Sequence, residues 1–120
     1  MLDRRKKSGD FAEAAVASYL AAKGYKILVQ NYKAHGGEID IIAKDADYIV
    51  FIEVKYRKQL DFGRPVEAIT VGKQRAMIKA ARSYLAKECQ YDANCRFDVI
   101  EVFGRELLEM NHIENAFWES

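Results

Sequence analysis

Along the chain the spacing of apolar positions switches between a helical and an extended rhythm, and the switches mark the elements. From Asp10 to Lys23 an alanine-rich stretch carries Phe11, Val16 and Leu20, and Gly24 follows where helices favour a left-handed residue. The spacing predicts a helix that closes there. Tyr25 to Tyr32, Glu38 to Ala43 and Tyr48 to Tyr56 are dominated by β-branched and aromatic residues, which predicts three strands. Gly36-Gly37 separates the first two, and Asp45-Ala46 stands at the centre of a tight connection, so the three form an antiparallel meander. Arg57 to Pro65 reads as a polar loop. From about Val66, and most firmly from Thr70 to Lys87, Met77, Ala81, Tyr84 and Leu85 recur at helical spacing. Arg96 to Phe103 and Leu107 to Ile113 are two further strands joined around Gly104, before a short Ala116-Phe117-Trp118 segment. The order α-β-β-β-α-β-β implies an α/β fold with a single mixed β-sheet flanked by helices. The second helix is long enough for a crossover, so the strand after it can run parallel to an earlier one through a right-handed connection.

Length and composition narrow this picture without changing it. The chain has 120 residues, half of them apolar, which suits one core and not two. Residues 1–8, with the Arg4-Arg5-Lys6-Lys7 block, are expected to be a mobile basic segment ahead of a single domain at 9–120. Nineteen basic residues nearly balance eighteen acidic ones, so any polyanion partner must be met by a local patch and not by the overall charge. No apolar run reaches bilayer length and the amino terminus has no apolar signal core, so a cytoplasmic protein without membrane association is expected. Cys89 and Cys95 lack metal-ligand spacing and read as reduced thiols. His35 and His112 have no ligand partner at useful spacing. Arg75, Lys79 and Arg82 share one helical face and read as solvated, while Tyr48, Phe51, Phe97 and Phe103 read as core.

The residues that carry chemistry lie on the second and third strands. Strand alternation puts Glu38, Asp40 and Ile42 on one face and Ile39, Ile41 and Ala43 on the other; it also groups Ile49, Phe51, Glu53 and Lys55. A hairpin centred between Asp45 and Ala46 sets Glu38 opposite Glu53 and Asp40 opposite Phe51, leaving Asp40 and Glu53 as diagonal neighbours roughly 7 to 8 Å apart. Carboxylates facing one another across strands repel, so a cation is expected between them. Oxygen ligands of this kind suit Mg²⁺ or Mn²⁺. Such an ion with a nearby lysine suits phosphodiester hydrolysis, because metal and ammonium together stabilise the charge that develops on the phosphate oxygens. Glu13 lies on the stripe of Val16, Ala17 and Leu20, and turns inward as a further metal ligand if that stripe faces the sheet. Glu38 is an additional site candidate.

Taken together these motifs resemble a known superfamily. Asp40, then Glu53-Val54-Lys55 after a short hairpin, preceded by a helix bearing Glu13, is similar to the PD-(D/E)XK nuclease signature of restriction endonucleases and Holliday junction resolvases. Ile39 stands where the superfamily's name has proline. More narrowly, Gly9-Asp10-Phe11-Ala12-Glu13, Gly37-Glu38-Ile39-Asp40-Ile41-Ile42, Phe51-Ile52-Glu53-Val54-Lys55-Tyr56-Arg57 and Arg96-Phe97-Asp98-Val99 resemble the YraN family of endonuclease-like proteins over nearly the whole chain. The resemblance implies a restriction-endonuclease-like core, metal binding by Glu13, Asp40 and Glu53, and catalysis by Asp40, Glu53 and Lys55.

The expected function is therefore Mg²⁺- or Mn²⁺-dependent cleavage of nucleic acid, with DNA as the expected substrate. Arg57, Lys58, Arg64, Lys73 and Gln74 are expected to gather phosphates around the site, and Tyr56 and Phe62 are candidates for base stacking. Cutting two strands symmetrically needs two sites, so a two-fold homodimer is expected. Two other readings stay open: a non-catalytic DNA-binding or repair-accessory module that keeps the fold, and a structural domain with no metal affinity.

Overall fold

The computed structural model describes residues 4–57, 69–104 and 106–118, with residues 4–9 as backbone. In chain order the elements are α1 (Arg4–Ala22), β1 (Lys26–Ala34), β2 (Gly37–Asp45), β3 (Tyr48–Arg57), α2 (Val71–Lys87), β4 (Asn94–Phe103) and β5 (Glu109–Phe117). The strands form one sheet in the order β1-β2-β3-β4-β5, antiparallel throughout except for the parallel β3–β4 pair. This is the α/β architecture and the element order that the apolar spacing predicts. No helix of the described residues is long and apolar enough to cross a membrane.

The two helices pack on opposite sides of the sheet because each presents a stripe of small or apolar residues. Ala12, Val16 and Leu20 of α1 are fully buried against Ile41, Ala43, Val50, Ile52, Ile100 and Val102. Met77, Ala80, Ala81 and Tyr84 of α2 are buried against Ile39, Ile42, Ile49, Phe51, Phe97 and Val99. Phe51 and Phe97 are thus core as expected, whereas Tyr48 is 41% exposed. α1 closes at Gly24, whose φ of 95° lets the Tyr25 N–H reach the Leu20 carbonyl at 2.9 Å and the Gly24 N–H reach that of Ala21. α2 opens at Thr70, whose hydroxyl accepts the Lys73 N–H at 3.1 Å.

Three boundaries differ from the sequence reading. α1 begins at Arg4 instead of Asp10, so the segment set apart as 1–8 is helical from Arg4 onward; arginine and lysine are good helix formers. β5 runs unbroken through Asn115 to Phe117, past Ile113, because Asn115 takes a φ of 53° and its N–H bonds to Asp98, which carries the strand through a register shift. The β2–β3 turn falls on Ala46-Asp47, with Asp45 paired to Tyr48. The register is therefore two residues from the one a turn at Asp45-Ala46 would set.

Candidate metal centre

The shifted register rebuilds the site. The β2–β3 ladder runs from Asp45↔Tyr48 only as far as Ile41↔Ile52. Beyond it the Asp40 carboxylate accepts the Val54 N–H, with Oδ2 at 2.8 Å. On its other edge β2 pairs Gln30↔Ile41 and Tyr32↔Ile39, with Asn31 between them at a φ of 55°. The alternation of faces breaks at Asp40. Ile39 consequently joins the α2 core while Ile41 joins the α1 core, although simple alternation predicts one face for both. Glu38 is exposed and pairs with Lys33, not with Glu53.

Asp40 thus sits in the split between β2 and β3, reachable from both layers. From the α1 side comes Glu13, half-buried beside Ala12. Burial, then the charge of Asp40 and a hydrogen bond to it, push the Glu13 pKa up to about 7, against a hydrogen bond from Asn31 that favours the ionised form. From the α2 side comes Glu53, 9% exposed. Burial and the neighbouring Asp40 push it to about 7 as well, against the pull of Lys73 and Lys55. Lys73, in the first turn of α2, lies 3.5 Å from Glu53 Oε2. That distance gives no hydrogen bond, and among the described residues Oε2 is a buried oxygen without a hydrogen-bond partner.

These groups suit a hard divalent ion. All three carboxylates offer oxygen ligands, Asp40 links the other two, and the orphaned Glu53 oxygen has the desolvation cost that a cation would offset. Among the described residues no three such groups already stand together at ligand spacing, so binding requires Glu13 and Glu53 to turn towards one point beside Asp40.

The sequence pattern of the uncharacterised protein family UPF0102 matches residues 12–102. The chain belongs to this family. A UPF0102 protein of Chlorobium limicola is 45% identical over 118 residues, covering 92% of each chain. One of Geobacter metallireducens is 46% identical over 113 residues, covering 93% of each, and one of Clostridioides difficile is 47% identical over 114 residues, covering 93% of this chain and 97% of its own. UPF0102 is the family that the YraN-like motifs pointed to, and its matched span includes Glu13, Asp40, Glu53, Lys55 and Lys73.

The remaining predicted residues divide three ways. Lys55 is close enough for its charge to lower the Glu53 pKa, two positions along the same strand. Arg57 lies 3.6 Å from the buried Glu101, which also accepts a 3.0 Å hydrogen bond from the Asn111 side chain. Gln74 donates to the Ile69 carbonyl at 2.8 Å, which ties down the start of α2. The Tyr56 hydroxyl donates to the Gly104 carbonyl at 2.8 Å and its partly buried ring packs in the α1 layer. Lys58, Phe62 and Arg64 lie outside the described residues.

Two residues escaped the sequence reading. Asn31 steadies Glu13, and the only hint is an asparagine amid a strand, a residue type that tolerates positive φ. Asp98 is fully buried, bound by Arg96 Nε at 2.9 Å, His112 Nε2 at 2.7 Å and the Asn115 N–H at 2.9 Å. Burial alone would raise its pKa; these donors outweigh burial and hold it below the ordinary carboxylate value.

Proposed function

We propose that this protein is a divalent-metal-dependent nuclease that hydrolyses phosphodiester bonds in nucleic acid, with DNA as substrate. The observation that carries the reading is the split strand pair. Asp40 is fixed between Glu13 and Glu53, and among the described residues the buried Glu53 Oε2 has no hydrogen-bond partner, a costly arrangement that a cation would relieve. Resemblance to the PD-(D/E)XK signature supports the same assignment.

In this reading Glu13, Asp40 and Glu53 hold Mg²⁺ or Mn²⁺. The ion, when bound, supplies Lewis-acid polarisation of a phosphoryl oxygen and acidification of water. The chain's own residues do the rest. The Val54 N–H keeps the Asp40 carboxylate from rotating away. Lys55, beside Glu53, orients the attacking water or takes the negative charge that develops on a non-bridging oxygen. Arg57, held by Glu101, offers a planar cation for a flanking phosphate.

The test is a panel of linear, single-stranded and branched DNA incubated with purified protein and Mg²⁺ or Mn²⁺. Metal-dependent cleavage that disappears in Asp40→Asn and falls by about 10²-fold or more in Lys55→Met is the expected result. Binding across the panel without cleavage would replace this reading with the non-catalytic DNA-binding module. Absence of both binding and Mn²⁺ affinity would leave a structural domain.

A further inference from the structure

Lys73 of α2 stands beside the carboxylates, and its placement has three parts. The Thr70 cap fixes its backbone, since the Lys73 N–H bonds to the Thr70 hydroxyl. The close approach of the β1–β2 turn to α2 fixes the helix: a Cβ on Gly37 would lie 2.2 Å from the Ala76 carbonyl oxygen, one turn beyond Lys73. The side chain itself is held loosely. It is 32% exposed, and its ammonium stands 3.5 Å from an oxygen with which it makes no hydrogen bond.

An ammonium meant as a permanent partner of a buried carboxylate would donate at 2.7–2.9 Å, about the usual length of a charge-assisted bond. Here the contact supplies charge without a bond, on a carboxylate that would help to hold a divalent ion. Charge counting agrees. Three carboxylates face Lys55 and Lys73, so the fully ionised site is one charge negative without a metal. A divalent ion makes it one charge positive, which suits a phosphodiester. A metal on Oε2 also repels the ammonium beside it, and the flexible lysine stem lets the head move towards solvent while the helix stays in place.

We infer that Lys73 is a placeholder cation, which neutralises Glu53 while no metal is bound and is released by the incoming divalent ion to contact a phosphate of the nucleic acid. This rests on the reading of the site as a metal centre. It couples the two ligands: metal binding frees a phosphate contact, so metal and nucleic acid bind with positive cooperativity.

Mn²⁺ affinity measured by calorimetry at pH 8.5, on wild type, Lys73→Met and Lys73→Arg, tests it directly. Removing a like charge a few ångströms from the ion is expected to tighten Mn²⁺ binding by about tenfold in Lys73→Met, whereas Lys73→Arg stays near wild type. Anisotropy of a labelled DNA duplex, with and without Ca²⁺, supplies the second readout: the metal-induced gain in affinity seen in wild type is lost in Lys73→Met. Mn²⁺ binding by Lys73→Met that is unchanged or weaker overturns the placeholder role while leaving the metal centre intact. Wild type with no Mn²⁺ heat, indistinguishable from Asp40→Asn, overturns both. If circular dichroism shows Lys73→Met unfolded, Lys73→Gln takes its place under the same criteria.

Discussion

Asp40 and Asp98 show how the same side chain acquires opposite roles from its neighbours. Asp98 is ringed by donors from Arg96, His112 and Asn115, so it is a buried charge with its partners in place. Asp40 has one backbone donor and two carboxylate neighbours, which the proposed metal centre would offset with a cation. The folded-state pKa values of Glu13 and Glu53, near 7 against an ordinary 4.5, set a sign for stability. Between about pH 4.5 and 7 the folded protein binds more protons than the unfolded chain, so metal-free stability falls as pH rises through that window. Melting temperature measured in chelator should show this decline, and Glu53→Gln should flatten it. Asp98 runs the other way, with a lowered pKa whose stabilisation is present above the unfolded value and lost in acid. Asp98→Asn should cost about 3 to 5 kcal/mol in denaturant unfolding near neutral pH, because it leaves Arg96 and His112 facing a neutral group.

Among the elements, the glycine turn before β2 matters most for the site. Gly36 takes a φ of 90°, and Gly37 leaves no room for a side chain against the Ala76 carbonyl. A methyl group there must push the turn off α2. Gly37→Ala is therefore expected to destabilise by about 1 to 3 kcal/mol, and, since the same contact seats α2 one turn beyond Lys73, to weaken the Lys73 coupling as well. Chemical denaturation together with Mn²⁺ calorimetry on this variant checks both. Element types and their order were legible in the chain because buried stripes recur at 3.6 or 2 residues and the glycines mark the ends. Register was not. A hairpin turn at Asp45-Ala46 or Ala46-Asp47 leaves Ile41, Ala43, Val50 and Ile52 on one face, so the apolar alternation does not choose between them; the structure takes the second, with Ala46 at a φ of 53°.

For the whole molecule, the site exists only where three layers meet: Glu13 from α1, Asp40 and Glu53 from the sheet, Lys73 from α2. No element holds it alone, so in the proposed metal centre ion binding would be linked to global folding. Mn²⁺ at about 100 times its dissociation constant should add about 2.7 kcal/mol to stability. A thermal shift of that origin should vanish in Asp40→Asn, and an equal shift in that variant would place the ion elsewhere.

By itself the sequence determined the helices and strands, their order, the buried stripes, the likeness to the YraN family and the residue types from which a metal centre can be made, because each is written in local spacing or in a contiguous motif. Tertiary structure decided the rest. It set the two-residue difference in register, the break in alternation at Asp40, the approach of Lys73 to Glu53 and the Asp98 network across β4 and β5. These depend on contacts between residues far apart in the chain, where the energy of a packed core, and no local preference, chooses among alternatives of similar local cost.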